Sequence, residues 1–172
     1  MNKEIYTDFN EIKTKIANLK EIGKSDDRWT FFYEDENGQK WELNYYDSDF
    51  RKRGVQILKK SKIFSIDELI AIVTSSNNKD EIIGPSIDLY FKEFNNRYDF
   101  REKLLNKLNE FDLKDLSDFD KERLKIIIYE SNLYDPLNRR EIIGVSKQKV
   151  DSDARYFKEI AQKAKEILEK IK

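Results

Sequence analysis

The chain has 172 residues, and its apolar content of 38% with 13% aromatics is enough for a folded core despite 39% charged residues. The chain has no Cys and no His. These absences exclude disulfides, metal sites with thiolate or His ligands, and Ser-His catalysis. The net charge of -1, with both signs interspersed, provides no overall field for nucleic acid, and no apolar run approaches the ~20 residues that span a bilayer. We therefore expect a cytoplasmic protein without membrane association.

The first predicted element is an amphipathic helix over residues 8–22. Phe9, Ile12, Ile16 and Leu19 recur at helical spacing. Gly23 is a suitable helix end, and a polar connection over residues 24–27 follows.

Two stretches that alternate in hydrophobicity come next, and Asn37-Gly38 between them indicates a β-hairpin. A two-residue loop would pair Phe32 with Leu43 and mix the two faces. A three-residue loop over 36–38 pairs Tyr33 with Trp41 and sets Gly38 in the left-handed conformation. It also places six large side chains on one face, where we expect them to be mostly buried: Trp29, Phe31, Tyr33, Trp41, Leu43 and Tyr45.

A third strand is predicted at residues 55–59, and helical patterns follow from Ser65. Ser65 with Glu68 forms a capping-box signature, Gly84-Pro85 is a candidate helix start, and Asp118 is a candidate cap. We predict an α+β fold, in which a small antiparallel sheet with its aromatic hairpin is followed by a mainly helical body. The expected regions are residues 1–63 and 64–172, packed as one unit.

The last predicted helix carries an apolar seam at heptad spacing, which indicates docking on the body. Its members are Val150, Ala154, Phe157, Ala161, Ala164, Leu168 and Ile171. The sequence Glu-Ile-Ile-Gly at 81–84 recurs at 141–144. A helical repeat array remains open, although unequal intervals favour coincidence between similar helices.

The chain offers little material for catalysis. Its five glycines stand alone, so no phosphate-binding loop is present. Neighbouring carboxylates, such as Asp151 with Asp153, are typical of helix caps, and a carboxylate-metal hydrolase is the least favoured function. We therefore predict no enzyme, no cofactor and no metal. An alternative is a nucleic-acid-associated accessory protein that uses the basic and aromatic loop over residues 45–62.

One local pattern resembles a known family. Trp29-x-x-Phe32-Tyr33-x-Asp35, then Gly38, then Trp41-Glu42-Leu43-x-Tyr45 is similar to the hairpin of a family of polymorphic-toxin immunity proteins. The resemblance implies a bacterial cytoplasmic protein that protects its cell by binding a cognate toxin domain. Such a protein needs no active site.

Inhibitors of nucleases often use acidic side chains, because these mimic phosphate and steer association. Two acidic groups are therefore the candidate partner contacts. They are the hairpin tip, Glu34, Asp35 and Glu36, and a later run, Asp112, Asp115, Asp118 and Asp120.

Overall fold

The computed structural model describes residues 3–46, 54–96, 100–138, 140 and 144–172. The chain divides into two compact units, Met1–Phe64 and Ser65–Lys172. A five-stranded antiparallel sheet lies in the first unit and helices dominate the second, so the predicted α+β class is confirmed.

The first unit contains one short helix and the sheet. Helix α1 spans Phe9–Ile16, and the strands are β1 Ile5–Tyr6, β2 Lys20–Lys24, β3 Thr30–Glu34, β4 Lys40–Tyr46 and β5 Val55–Lys60. The spatial order is β1-β5-β4-β3-β2, with every neighbouring pair antiparallel. The predicted third strand is confirmed as β5.

The β3–β4 hairpin has the predicted register. Tyr33 lies opposite Trp41, and Phe31 lies opposite Leu43. The loop is residues 36–38, since the Asp35 N–H donates to the Gln39 carbonyl at 3.0 Å. Gly38 has φ +77°, the left-handed conformation that this loop requires.

Helix α1 covers only part of the aromatic face. Ile12 is buried in a core with Tyr33, Trp41, Leu43 and Leu58. Trp29, which we expected in this core, is 49% exposed. An eight-residue helix is only ~12 Å long, and Trp29 precedes Tyr33 by four residues, or ~13 Å of strand. The helix therefore leaves that end of the face open.

The predicted first helix extends six residues too far at its C-terminal end. Helix α1 ends at Ile16, and residues 20–24 form β2, which pairs with β3. The side-chain amide of Asn18 donates to the Thr14 carbonyl. Such a side-chain hydrogen bond competes with the backbone hydrogen bonds that would continue the helix. Pairing with β3 then satisfies the backbone hydrogen-bonding groups of β2. This pairing is a tertiary contact, which the helical spacing of apolar residues does not predict.

Five helices form the second unit: α2 Ile66–Ser75, α3 Lys79–Asn96, α4 Arg101–Leu108, α5 Asp118–Glu130 and α6 Lys147–Lys170. The capping box of Ser65 and Glu68 is present at the start of α2. The side chain of Ser117, one residue before the predicted Asp118, caps α5.

Gly84-Pro85 does not begin a helix, because both residues lie inside α3. The Asn78 side chain accepts a hydrogen bond from the Asp80 N–H at 3.0 Å and starts the helix earlier. An interior proline costs about 3 kcal/mol, and packing of α3 against both α2 and α5 offsets it. The Glu-Ile-Ile-Gly segment at 81–84 thus belongs to α3, whereas residues 141–143 of its echo fall outside the described residues.

The apolar seam of α6 is only partly as predicted. Phe157, Ala161, Ala164 and Ile171 are buried, but Val150 and Ala154 are exposed. Leu168 is half-buried, while Ile160 and Ile167 complete the buried stripe. An α-helix drifts from a strict seven-residue repeat, so the buried stripe rotates away from the predicted seam.

A buried arginine ties together four segments of the helical unit. The Arg101 Nε atom lies 3.0 Å from both carboxylate oxygens of Glu93, with both side chains inside the core. Its Nη1 donates to the carbonyls of Asn132 and Asp135, each at 3.2 Å. Its guanidinium lies 4.4 Å from the ring centroid of Phe157. The charge is therefore paired and hydrogen-bonded, as burial requires.

Trp41 and Trp29 form a matched pair for testing the core. Trp41→Ala should lower the free energy of unfolding by about 3–5 kcal/mol, because its ring is 2% exposed. Trp29→Ala should cost roughly 1 kcal/mol or less. Urea denaturation measures both, and equal losses would show that Trp29 belongs to the core.

Glu93→Gln should destabilise the helical unit by about 3–5 kcal/mol, because it removes the buried carboxylate charge that lies 3.0 Å from the Arg101 Nε atom. Asp67→Asn makes the same chemical change in the exposed pair with Lys103 and should cost roughly 1 kcal/mol or less. Thermal melts of the two variants compare them. A Glu93→Gln protein as stable as wild type would contradict the role of this pair.

Candidate protein-interaction site

The turn between β2 and β3 is held by a set of short-range hydrogen bonds. The Ser25 N–H donates to the Thr30 carbonyl at 2.8 Å, and the Ser25 hydroxyl accepts from the Thr30 N–H at 3.0 Å. The Arg28 N–H donates to the Ser25 carbonyl at 3.0 Å. The Asp27 carboxylate accepts from the Trp29 N–H at 3.0 Å. These bonds fix the backbone on both sides of Trp29.

Arg28 adopts a backbone conformation that side chains rarely take, with φ +63°. Such a conformation costs on the order of 1–3 kcal/mol and persists only where the surroundings enforce it. The hydrogen bonds of Ser25 and Asp27 supply that enforcement. Arg28 therefore completes a turn whose backbone is fixed directly before the exposed Trp29.

Trp29 is the exposed member of a group of rings that we call the aromatic ledge, made of Trp29, Phe31, Tyr45 and Tyr46. The other three rings are half-buried, and Phe31 and Tyr45, which we expected to be mostly buried, pack against the edge of the core. Phe31 and Tyr45 meet edge to face with centroids 5.7 Å apart. A cavity of about 310 Å³ opens beside the ledge and is lined by Trp29, Tyr45, Tyr46, Gly54, Val55 and Gln56.

Among the described residues, the lining of this cavity contains no Asp, Glu, Lys or Arg side chain. A cavity of roughly 150 Å³ holds benzene, so about 310 Å³ accommodates one large apolar or aromatic side chain. Tryptophan is enriched among interaction hot spots, which pack into pockets at the centre of an interface.

The acidic hairpin tip lies at the opposite end of β3 from Trp29, and one of its carboxylates holds the loop. Asp35 Oδ1 accepts from the N–H groups of Asn37 and Gln39, both at 3.0 Å, and Oδ2 accepts from the Trp41 indole at 3.4 Å. Partial burial raises the pKa of Asp35, but these hydrogen bonds and Lys15 outweigh it and lower the pKa. Glu34 faces Lys40 across the hairpin, whereas Glu36 is exposed.

The later acidic run belongs to the helical unit and also has mixed roles. Asp120 accepts from Arg123 at 2.8 Å and from the Ser117 hydroxyl at 2.6 Å, so it supports the start of α5. Asp112 accepts from the Lys114 N–H at 3.1 Å. Asp115 and Asp118 are exposed. Of the predicted acidic contacts, Glu36, Asp115 and Asp118 therefore combine exposure with the smallest structural role.

Residues 47–53 of the basic loop predicted over 45–62 lie outside the described residues, and residues 55–60 of it form β5. Its described lysines already have partners within the first unit. Lys60 pairs with Glu4 at 2.8 Å, and Lys62 lies 4.7 Å from the ring centroid of Phe64.

Within the described parts of the chain, no group of three or more Asp or Glu residues is arranged to hold a metal ion. Over the same residues, no helix is long and apolar enough to cross a membrane.

Sequence patterns placed Trp29 in the core and so missed the ledge. Its alternation with Phe31 predicted burial, whereas the structure leaves Trp29 49% exposed. The polar run Ser25-Asp26-Asp27-Arg28 directly before it was the available signal, because turn residues place Trp29 at the very start of the strand.

The carboxyl of Asp27 should titrate below its usual pKa of 3.8, because the Ser25 hydroxyl and then the Trp29 N–H stabilise its charged form. This contribution to the turn is present above the unfolded pKa and is lost as pH falls through the folded pKa. Ser25→Ala should raise the pKa of Asp27, measured by carboxyl NMR shifts against pH. An unchanged midpoint would show that the hydroxyl does not stabilise the carboxylate.

Comparison with known proteins gives no match to this chain among family models, curated proteins or solved structures. The similarity to immunity proteins therefore rests on the hairpin residues alone. The geometry adds one independent feature to that hairpin, which is the exposed Trp29 of the aromatic ledge directly before β3.

Proposed function

We propose that this chain is an immunity-type protein that neutralises a bacterial toxin domain by direct protein–protein binding. Its task is recognition, and it performs no chemistry on its partner. Two features support the proposal: the hairpin sequence that resembles toxin-immunity proteins, and an exposed aromatic surface on the same hairpin.

The exposure of Trp29 is the observation that carries the proposal. A half-exposed tryptophan is a large apolar surface that water solvates poorly, and a fixed backbone limits the entropy that binding must remove. Tryptophan is enriched among the few residues that dominate binding energy. The neutral cavity beside it provides a place for an apolar side chain of the partner.

The exposed carboxylates act at a different stage of binding. Glu36, Asp115 and Asp118 are solvated, so they contribute little to the strength of the final contact. Their charge steers the approach of a basic partner and raises the association rate at low salt. A toxin with a basic nucleic-acid-binding surface fits this pattern.

Nucleic-acid association is the second candidate, and the ring-lined cavity is the observation that favours it. Bases stack on aromatic side chains, and the basic run Arg51-Lys52-Arg53 directly precedes Gly54 of the cavity in the sequence. Binding that weakens steeply with salt on single-stranded DNA or RNA would support this candidate over the toxin partner.

Trp29→Ala should weaken binding to the toxin encoded beside this gene by about 30-fold or more, the effect of losing a hot spot of ~2 kcal/mol. Phe9→Ala is the matched control, since Phe9 is 62% exposed on α1 and lies off the ledge. Its affinity should stay within about twofold of wild type. For both variants, binding kinetics measure the affinity, co-expression with the toxin measures protection, and thermal melts measure stability.

A charge variant separates steering from contact. Glu36→Lys should slow association several-fold at low salt and much less at high salt, while dissociation stays nearly unchanged. Asp35 is left intact, because its carboxylate holds the loop. If the neighbouring gene encodes no toxin and no toxin domain binds the protein, the immunity function is wrong. If Trp29→Ala binds and protects fully, the ledge is not the contact.

A further inference from the structure

The loop of the β3–β4 hairpin carries the dipeptide Asn37-Gly38 at its tip. Both residues are exposed to solvent, and Gly38 has φ +77°. This is the one place in the sequence where glycine follows asparagine. The pair therefore combines a reactive sequence with access for water.

An asparagine side chain can react with the main-chain nitrogen that follows it. The glycine N–H first loses its proton to a base, and the nitrogen then attacks the side-chain carbonyl carbon of the asparagine. The new carbon–nitrogen bond closes a cyclic imide, while the side-chain nitrogen takes up a proton and leaves as ammonia. Water then opens the imide at either carbonyl and gives aspartate or isoaspartate. Glycine favours the attack because it has no Cβ beside the nitrogen.

In the folded loop the attacking nitrogen is already engaged. The Gly38 N–H donates to the Asp35 carbonyl at 3.0 Å. The Asp35 carboxylate accepts from the N–H groups on either side, those of Asn37 and Gln39, each at 3.0 Å. All three bonds end on Asp35. The loop must therefore detach from Asp35 before the Gly38 nitrogen can lose its proton and reach the Asn37 side chain.

We propose that Asn37 is a site of non-enzymatic modification, at which its side-chain amide converts to a carboxylate through a cyclic imide with the Gly38 nitrogen. The reaction consumes water, needs only a base from solution and releases ammonia. Asp35 is a positioning residue, because its hydrogen bonds keep the loop closed and so set the rate. The site goes beyond the proposed function and does not depend on the identity of any partner.

The two products act differently on the hairpin. Aspartate leaves the main chain unchanged and adds one negative charge beside the exposed Glu36. Isoaspartate passes the main chain through the side-chain Cβ and adds one atom to the loop. Because loop length sets the pairing of Tyr33 with Trp41, the isoaspartate form should melt at a lower temperature than the aspartate form. Thermal melts of the separated products measure this difference, and equal melts would contradict it.

The rate is tested on the full-length protein and on a blocked peptide of residues 33–41, both kept in mildly basic buffer. Mass spectrometry of proteolytic fragments follows the change from amide to acid at Asn37, and chromatography separates isoaspartate from aspartate. The folded protein should react at least about tenfold more slowly than the peptide, because several hydrogen bonds must open first. Equal rates would show that the loop does not restrain the reaction and would overturn the proposal.

Hydrogen exchange of the Gly38 amide measures the same opening in the unmodified protein. Exchange and imide formation both begin when the open loop loses the Gly38 proton, so the fold should slow both by a similar factor relative to the peptide. This comparison requires no substitution, and it therefore stands even where a variant is unstable. Conversion of Asn37 well below the rate that exchange predicts, including no conversion, would overturn the proposal.

Two variants separate the hydrogen bonds of Asp35 from its charge. Asp35→Ala removes the carboxylate that holds the loop, and the modification rate should rise about tenfold towards that of the peptide. Glu36→Gln removes an equal charge beside Asn37 and leaves the bonds to Asp35 in place, so its rate should stay within about twofold of wild type. If both variants accelerate equally, charge sets the rate and Asp35 does not position the loop.

Discussion

The register of the β3–β4 hairpin is the constraint on which the sheet unit depends. Side chains alternate between faces, so a slip of one residue would move every aromatic ring to the other side. The three-residue loop prevents that slip, because Gly38 takes the left-handed conformation and the Asp35 carboxylate binds the N–H groups of Asn37 and Gln39. The Trp41 indole also donates to Asp35 and joins the loop to the core.

With this register fixed, the same aromatic face serves two purposes. At the loop end, Ile12 of α1 covers Tyr33 and Trp41, and burial of these rings stabilises the unit. At the other end Trp29 is 49% exposed, while Phe31 and Tyr45 are half-buried at the edge of the core. The length of one short helix thus separates the part of the face that stabilises the fold from the part that is available for binding. The cost of an exposed tryptophan is consistent with a role outside stability.

Buried arginines organise the helical unit in a comparable way. Arg101 connects Glu93 of α3 with the ring of Phe157 in α6. Arg123 of α5 donates to the Ser76 carbonyl and the Asn77 side chain, at 2.8 and 2.9 Å, and so holds the α2–α3 connection. Arg123 also donates to the Asp120 carboxylate, so this carboxylate is already engaged within the helical unit. Planar guanidinium groups suit this task because they donate several hydrogen bonds and stack on rings at once.

The sequence by itself determined those features that depend on neighbouring residues. The alternation of apolar residues and the turn residues predicted the hairpin register and the left-handed conformation of Gly38. The spacing of Ser65 and Glu68 predicted the capping box. The change from strand to helical periodicity predicted the α+β class. These are local relations, in which a few residues set both the backbone and its hydrogen bonds. The acidic contacts remain predictions, although the structure shows that Asp35 and Asp120 already have roles in the fold.

Only the tertiary structure decided which surfaces are covered. Residues 20–24 form a strand because β3 provides a partner, a contact that helical spacing cannot show. Trp29 and Val150 follow the apolar patterns of their segments and are nevertheless exposed. Periodicity reports the direction of a side chain, whereas burial depends on what other segments place against it.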